Sequence, residues 1–160
     1  MKLYLMGSLR NPQLPHLGNR IRELGYDVFD DWWAGGENAD DWWKTYEEIR
    51  GRSYQEALYD RYPTHIWEFD KYHLDTSDVG VLMLPVGRSA HIELGYLIGK
   101  GKPTYVLFDQ ELGTARWDVM FRFAEQVFFN IDDLLTELKV VITVRPMVPG
   151  TIIYELRRPN

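Results

Sequence analysis

The chain of 160 residues has the length of one domain, with 45% apolar residues, 18 basic and 24 acidic side chains. Its net charge of −6 argues against a general nucleic-acid binder, which needs an excess of Lys and Arg, but permits binding of one nucleotide. Because cysteine is absent, a disulfide frame, a zinc–thiolate site and a catalytic thiol are excluded. No apolar run reaches membrane-spanning length, and the N-terminal run is too short for a signal peptide, so we expect a cytoplasmic protein.

The first thirty residues predict a strand, a helix and a second strand. Residues 3–6 form a short apolar run ended by Gly7 and Ser8, which is typical of a buried parallel strand. Leucine and isoleucine then recur at helical spacing through residues 14–24, and Gly25 is placed to end that helix. Residues 26–29 predict the second strand.

A tryptophan-rich segment follows the second predicted strand. The tetrapeptide Asp-Asp-Trp-Trp occurs at residues 30–33 and again at residues 40–43. We expect a glycine-hinged loop over residues 30–41, a helix over residues 41–62, a break at Pro63 and a helix over residues 64–75. The tryptophans suit equally well stacking on a base, with Trp32 the candidate substrate contact, or packing of the loop against the sheet: Trp32, Trp33, Trp42 and Trp43.

The second half of the chain continues the alternation. Strands are predicted over residues 79–84, 104–108 and 127–129. Helices are predicted over residues 90–99, 115–124 and 131–138, with Ser89 as the cap of the first. Two further β-rich runs, residues 140–144 and 151–156, flank two prolines and a glycine, which predicts a C-terminal hairpin.

Strands alternating with helices predict an α/β fold: a single-domain, Rossmann-like (flavodoxin-like) parallel sheet flanked by helices, with a C-terminal β-hairpin extension. We assign residues 1–139 to the main body of the domain and residues 140–160 to the extension. In such sheets ligands bind at the carboxyl ends of the strands, near a switch in strand order. That rule marks the turn after Met6, the loop from Asp30 and the segment from Pro85 to Glu93.

The turn after the first strand is a candidate phosphate site. Gly7 lets the backbone approach a ligand, Ser8 offers a hydroxyl and an amide, and Arg10 offers a planar fork. The N-terminus of the following helix would add a partial positive charge. Taken alone, such a segment is more often an ordinary strand-to-helix turn with an exposed arginine.

Two carboxylates are candidates for a nucleophile and an acid. Glu93 is predicted in the first turn of a helix, where the helix dipole would keep it ionised as a nucleophile requires. Asp70 would point to the same sheet edge, and a like charge beside Glu93 would raise its pKa and suit it to act as an acid. Asp75 competes for this role, and Asp78 suits the start of the next strand. Each acid taken singly is as well explained as a surface charge.

Tyr4 and the histidines are weaker signals. A tyrosine in a first strand is more often a core residue, although the Tyr4 hydroxyl could reach a carboxylate at the strand end. The histidines have no metal-ligand spacing with carboxylates, so we predict no metal and no cofactor: His16, His65, His73 and His91.

Taken together, these segments resemble the nucleoside 2-deoxyribosyltransferase family from Lys2 to about Leu107. The likeness lies in Tyr4-Leu5-Met6-Gly7-Ser8-Leu9-Arg10, in Asp78-Val79-Gly80-Val81-Leu82, and in Glu93-Leu94-Gly95-Tyr96 combined with Gly101-Lys102-Pro103. The resemblance implies that Glu93 is the nucleophile and that Asp70, eight residues before Asp78, handles the proton. It also implies that Tyr4 hydrogen-bonds the nucleophile.

The resemblance further implies a double displacement at the N-glycosidic bond of a 2′-deoxynucleoside or its 5′-monophosphate. Glu93 attacks C1′ while the base leaves with a proton from Asp70, and a second base or water resolves the deoxyribosyl ester. This parallels retaining glycosidases, whose carboxyl pair lies about 5 Å apart. The expected partner is therefore a small-molecule nucleoside or nucleotide, with no nucleic acid polymer and no membrane. A homodimer or higher homo-oligomer is expected because relatives complete each site with a neighbour's residues.

Two branches of this family differ at the phosphate position. The run from Gly7 to Arg10 resembles the phosphate-binding turn of the 5′-monophosphate N-glycosidases, which use water, whereas transferases of free nucleosides tend to have an aromatic residue there. The expectation therefore leans toward a monophosphate hydrolase. One departure is Ala90, where a small polar residue usually precedes the glutamate by three positions. Either Arg88 and Ser89 hold the phosphate in another geometry or the ligand differs.

Three other functions remain open at this stage. The same carboxylate chemistry serves a glycosidase of NAD or another ribonucleotide. A nucleotide-binding sensor would keep the fold without turnover, although a pure binder does not need an acid–nucleophile pair. A protein that binds a partner through its tryptophan pairs would bind no small molecule at all.

Overall fold

The computed structural model describes residues 1–108 and 117–144, which fold as a layered α/β domain. The strands are β1 (Lys2–Met6), β2 (Asp27–Phe29), β3 (Val79–Met83), β4 (Thr104–Leu107) and β5 (Gln126–Phe128). The α-helices are α1 (Leu14–Arg22), α2 (Ala39–Ile49), α3 (Tyr54–Leu58), α4 (Arg61–Thr76), α5 (Arg88–Gly99) and α6 (Ile131–Val144). Short 3₁₀ helices cover Asp31–Gly35 and Val119–Phe123.

The strands form one parallel sheet in the order β2-β1-β3-β4-β5. This is the flavodoxin-like order, in which the chain first adds a strand on one side of β1 and then crosses to the other side. The predicted flavodoxin-like parallel sheet flanked by helices is therefore confirmed. The switch in strand order lies between β1 and β3, where Tyr4 is paired with Gly80.

Helices cover both faces of the sheet, as a parallel sheet requires. On one face α1 and α6 bury leucines against alternate residues of β1 and β3, among them Leu3, Leu5, Val79 and Val81. On the other face α4 and α5 pack against the intervening residues, which include Tyr4. The second face is the one that positions the candidate acid and nucleophile. No helix among the described residues is long and apolar enough to cross a membrane.

The prediction of one helix over residues 41–62 is wrong, because three helices share this stretch. The first, α2, ends before Gly51, whose φ of +69° is a left-handed conformation that favours glycine. A new helix, α3, then starts at a capping box in which Ser53 and Glu56 bond each other's backbone N–H groups. Pro63 does not break the chain, since it lies in the first turn of α4, where a missing N–H costs no intrahelical hydrogen bond.

Three further expectations need correction. Ser89 is not a helix cap, because α5 begins one residue earlier and Gly87 holds the cap position. Within residues 117–124 the predicted helix is a 3₁₀ helix, started by Asp118, whose side chain accepts a hydrogen bond from the Met120 N–H. Residues 140–144 are helical rather than β, because α6 continues through them with Val141 buried in line with two leucines one and two turns earlier. Residues 151–156, the other half of the predicted hairpin, lie outside the described residues.

Candidate active site

Three side chains that the sequence predicted to act together converge at the switch between β1 and β3. Tyr4 comes from β1, Asp70 from α4 and Glu93 from α5, the helix that follows β3. The Tyr4 hydroxyl donates a hydrogen bond of 3.2 Å to Oε1 of Glu93. Asp70 lies close enough to both to raise their pKa values through its negative charge.

Tyr4 is fully buried, so its hydroxyl approaches Glu93 from the interior of the sheet. Its ring packs against Phe29 of β2 with a centroid separation of 5.1 Å. Burial is the main cause that raises the pKa of the Tyr4 hydroxyl far above its usual range, and the charge of Glu93 adds to it. Tyr4 therefore keeps its proton and acts as a fixed hydrogen-bond donor to the carboxylate.

Glu93 lies in the second turn of α5, as its sixth residue, and not in the first turn as predicted. Its distance from the helix N-terminus places it beyond the reach of the first-turn dipole effect. Burial raises the pKa of Glu93 to about 7, the charge of Asp70 raises it too, and the hydrogen bond from Tyr4 lowers it. The expectation that the helix dipole keeps Glu93 ionised is therefore wrong. Burial instead brings its pKa close to neutral pH.

Asp70 is partly buried and its Oδ1 has no hydrogen-bond partner among the described residues. Burial raises the pKa of Asp70 to about 6. Its neighbour on the helix, Phe69, contacts Phe29, which also stacks on His73 at 3.7 Å between ring centroids. These aromatic contacts pack α4 against β2 on the helical turn that carries Asp70.

The rival acid Asp75 is occupied elsewhere. Lys71, Tyr96 and Lys100 all contact its carboxylate, which lowers its pKa well below the ordinary value. Asp78 directly precedes β3, as predicted. Its carboxylate accepts a hydrogen bond of 2.7 Å from the Lys2 backbone N–H at the start of the neighbouring strand β1. Asp70 is therefore the aspartate that the fold brings to Glu93.

Two carboxyl groups with pKa values of about 6 and about 7 hold about one proton between them from about pH 6 to pH 7. One group can then donate a proton while the other attacks or stabilises a positive centre. The arrangement suits a substrate that needs a nucleophile and an acid at once. No cluster of three metal-ligating side chains occurs in the described part of the chain.

The turn between β1 and α1 carries the predicted phosphate contacts. The Ser8 hydroxyl accepts a hydrogen bond of 3.2 Å from the Arg10 backbone N–H, and the Arg10 guanidinium donates one of 3.1 Å to Asp41 of α2. Both partners of that ion pair are exposed. The guanidinium that was expected to hold a phosphate therefore holds the carboxylate of Asp41, a contact that the sequence did not predict.

Gly7 has a packing reason that is independent of any ligand. A Cβ atom at this position would lie 2.2 Å from Cδ1 of Leu14, a fully buried side chain of α1. The glycine therefore lets the first turn of α1 approach the end of β1. This close approach is what brings the Ser8–Arg10 turn over the edge of the sheet.

Two of the four tryptophans have the packing role that was one of the two expectations. The indole N–H of Trp32 donates to the Leu5 carbonyl at 2.9 Å and that of Trp33 donates to the Asn11 carbonyl at 3.1 Å, so both fasten the 3₁₀ segment to the fold. Trp42 is 70% exposed. Trp42 and Trp43 line a cleft of about 420 Å³ together with other residues of the helical segment: Gly35, Ala39, Tyr46 and Tyr62.

This aromatic cleft is separate from the carboxyl pair, since none of the three converging side chains lines it. Acid–base and nucleophilic chemistry requires titratable groups, which the carboxyl pair supplies. The residues that line the aromatic cleft include no carboxyl group. Arg88 and Ser89 are exposed at the start of α5, at the same edge of the sheet. Nearby, His91 hydrogen-bonds the Gly87 carbonyl and is a helix-end residue.

The architecture defines a flavodoxin-like α/β protein with a tyrosine–carboxyl site at its switch point. Among solved structures it is similar to the 2-deoxyribosyltransferase of Bacillus psychrosaccharolyticus, with a TM-score of 0.58 and 18% identity over 86% of this chain and 96% of that one. It is also similar to the CMP N-glycosidase BcmB of Clostridium botulinum, with a TM-score of 0.52 and 14% identity over 86% and 98%. No protein-family model and no curated protein sequence matches the chain significantly. At these identities the likeness establishes the shared fold.

Proposed function

We propose that the protein cleaves the N-glycosidic bond of a 2′-deoxynucleoside or its 5′-monophosphate. The observation that carries the proposal is the hydrogen bond from buried Tyr4 to Glu93 beside Asp70, whose buried Oδ1 is unpartnered within the described residues. The fold adds support, because the two similar structures are a 2-deoxyribosyltransferase and a CMP N-glycosidase. Both of those activities act on the bond between a sugar and a base.

In the proposed reaction Glu93 is the nucleophile. Its carboxylate forms a bond to C1′ as the bond from C1′ to the base nitrogen breaks, and the electron pair of that bond leaves with the base. Asp70 donates its proton to the departing base and becomes a carboxylate. Water or a second base then attacks C1′ and releases Glu93, while Asp70 takes a proton from the attacking group.

The proton between the two carboxyl groups decides which of them can attack. Tyr4 donates to Glu93, and a hydrogen bond to the charged form of a carboxyl group favours that form. Asp70 has no such donor among the described residues, so a base nitrogen placed against its Oδ1 would be the acceptor for its proton. This difference in hydrogen bonding is our reason for assigning the attack to Glu93 and the proton to Asp70. Because the pKa of Glu93, about 7, lies above that of Asp70, about 6, the attacking form is the minor one of the singly protonated pair.

We propose further that the substrate is the 5′-monophosphate and that water resolves the intermediate. The support is local: Ser8 and Arg10 follow β1, while Arg88 and Ser89 begin α5 after the adjacent strand β3. Polar groups from two neighbouring strand ends can grip one phosphate, aided by the N-terminus of α5. A phosphate would have to replace Asp41 at the Arg10 guanidinium. This replacement costs little free energy, because the ion pair between Arg10 and Asp41 is exposed.

The test is chromatography of the free base released from deoxynucleosides and their 5′-monophosphates, with and without an acceptor base. Release from monophosphates without acceptor, abolished in Glu93→Ala, is the expected result. Exchange on free nucleosides with acceptor alone would instead identify a transferase and refute the phosphate assignment. No release from any of these substrates would refute the proposal and leave NAD-type substrates or a sensor; nucleotide binding without turnover would indicate the sensor.

A mechanism-based 2-fluoro-2-deoxynucleotide identifies the nucleophile, because the fluorine slows release of the covalent sugar. We expect mass spectrometry of a digest to find the added mass on the peptide that contains Glu93. Added mass on the Asp70 peptide would exchange the two assignments, and no adduct during continuing turnover would refute the covalent step.

We also propose a homo-oligomer. Helices α2 to α4 expose large apolar side chains, including Trp42, Tyr46, Ile49, Tyr62 and Trp67. Three of them, Trp42, Tyr46 and Tyr62, line one cleft, and exposed apolar patches commonly mark protein interfaces. Light scattering coupled to size-exclusion chromatography checks the assembly, and a monomer at micromolar concentration would contradict it.

A further inference from the structure

Lys102, in the turn between α5 and β4, grips the C-terminal end of α4. Its ammonium group donates three hydrogen bonds of 2.7 Å, to the backbone carbonyls of Leu74, Asp75 and Ser77. An ammonium has three donors, so all of them are used on this one helix end. The contact joins two parts of the chain that are 25–28 residues apart.

The last carbonyls of an α-helix have no partner within the helix and carry its partial negative charge. At the end of α4 the carbonyls are met by Lys102, by the Ser77 hydroxyl, which donates to the Leu74 carbonyl at 2.9 Å, and by the Ser77 N–H, which donates to His73. Lys102 is half-buried and burial lowers its pKa. A desolvated cation held by three carbonyls fixes both the position and the direction of the helix end.

Asp70 lies one helical turn before Leu74, so its backbone carbonyl accepts the Leu74 N–H in the regular α-helical pattern. A displacement of the backbone at Leu74 therefore also moves the backbone at Asp70. Other contacts also hold this turn, among them the two Ser77 hydrogen bonds and the stack of His73 on Phe29. Lys102 adds three hydrogen bonds to backbone carbonyls from outside the helix.

We propose that Lys102 is a positioning residue that holds Asp70 in register with Glu93 through the C-terminal carbonyls of α4. The inference rests on the proposed role of Asp70 as the acid. The proposed reaction gives no role to the lysine of the Gly101-Lys102-Pro103 motif, and this inference supplies one.

The test compares Lys102→Met, which keeps the side-chain length and removes the donors, with Lys102→Arg, which keeps the donors. Lys100→Met is the matched control, because Lys100 lies two residues away and its ammonium faces the Asp75 carboxylate at 3.5 Å. Release of base is measured for a deoxynucleotide with an ordinary base and for its 7-methylguanine analogue. The methylated base carries a positive charge in the substrate and leaves as a neutral molecule without a proton from an acid.

We expect Lys102→Met to lower kcat on the ordinary base by about ten- to a hundredfold, the size of effect produced by a misplaced catalytic group. The loss should be at most about threefold on the methylated base, and the arginine variant should recover most of the rate. In an Asp70→Asn background, Lys102→Met should cost almost nothing more, because residues that act through one another are non-additive. Equal losses on both substrates, or full additivity with Asp70→Asn, would overturn the proposal.

A readout that does not require turnover separates this proposal from the proposed function. The Asp70 carboxyl is titrated by carbon-13 NMR in the wild type and in Lys102→Met. Loosening of α4 exposes Asp70, so its pKa should fall from about 6 toward the ordinary value of 3.8. If the wild type releases no base from any substrate, the proposed function fails and this titration alone decides the positioning role. An unchanged pKa in a folded variant would refute it.

Discussion

Tyr4→Phe tests the link between the buried hydroxyl and the proposed nucleophile. The substitution removes one oxygen and leaves the ring that packs against Phe29 at 5.1 Å. The lost contact is the 3.2 Å hydrogen bond to Oε1 of Glu93. A hydrogen bond to a charged group contributes about 1.5–3 kcal/mol. Since about 1.4 kcal/mol is tenfold in an equilibrium, the ionised form of Glu93 becomes ten- to a hundredfold less favourable.

The sign of the pH effect follows from the shared proton. The Tyr4 hydrogen bond lowers the pKa of Glu93, so its loss raises that pKa above the present value of about 7. The active form carries its proton on Asp70, whose pKa of about 6 lies below that of Glu93, so this form is the minor one already in the wild type. In the variant the proton resides still more on Glu93, and the active form becomes rarer. We therefore expect the maximum of kcat/KM to fall by about ten- to a hundredfold. The alkaline limb should move to higher pH, because the singly protonated pair persists further.

The assay is base release across pH 4.5–9.5, with Tyr26→Phe as the matched control. Tyr26 is also buried, and its hydroxyl donates a hydrogen bond of 2.7 Å to the Leu138 carbonyl on the other face of the sheet. The control should lose about 1 kcal/mol of unfolding free energy and keep the wild-type pH profile. If Tyr4→Phe keeps wild-type kcat/KM within twofold with an unmoved alkaline limb, the hydroxyl does not set the proton distribution and the reasoning is refuted.

Three further predictions follow from single contacts. Asp41→Asn frees the Arg10 guanidinium from its carboxylate, so kcat/KM for 5′-monophosphates should rise several-fold with little change for free nucleosides; a fall for monophosphates would contradict this. Gly7→Ala places a methyl group 2.2 Å from a buried leucine and should lower the unfolding free energy by about 1–3 kcal/mol in urea titrations, whereas Gly99→Ala, in open space, should not. Glu93→Gln should be more stable to unfolding than the wild type by about 2–3 kcal/mol at pH 8 and by less than about 1 kcal/mol at pH 5. The reason is that a raised carboxyl pKa contributes stability that the wild type loses as pH rises from 4.5 through about 7. Equal differences at the two pH values would count against a buried, ionising Glu93.

The sheet could be predicted from sequence because its central strands are read from composition alone. Residues 3–6 of β1 and all the residues of β3 lack a polar alternation, which is the pattern of strands buried on both faces. The helices on either side then follow from spacing and from Gly25, whose φ of +96° lies beyond the end of α1. The parallel direction of the strands follows from the strand–helix alternation, whereas their order and the switch point are given by the structure.

The segment from α2 to α4 could not be predicted in the same way, because its turns depend on charges that meet only in the folded protein. Glu47 is 4% exposed and pairs with Arg50 and Arg52, both of which also bind Asp60. This cluster fixes the two turns that divide the predicted helix. Residue periodicity does not record such contacts, so one continuous helix was the simpler prediction.

The site shows the same division between topology and environment. The rule that ligands bind at strand ends marked the segment that contains Glu93, and the family resemblance implied Tyr4 as its hydrogen-bond partner. The structure joins the two by a hydrogen bond. The ion pair of Arg10 with Asp41 spans 31 residues and has no signature in either local sequence. The balance of protons between the carboxyl groups depends on how deeply each is buried, which only the packed structure defines.

The burial of Glu93 lowers the stability of the folded protein when the group is ionised, and the same effect favours the proposed reaction. Raising the pKa of Glu93 from 4.5 to about 7 withholds about 3 kcal/mol of folding free energy when the group is ionised. The penalty falls on the charge, and the charge disappears when the carboxylate becomes a neutral ester with C1′. An environment that disfavours the ion therefore favours the covalent intermediate, provided that a donor such as Tyr4 keeps enough of the ion present to attack. A nucleophile placed in the first turn of α5, as the sequence suggested, would have been stabilised as the ion and would have lost this advantage.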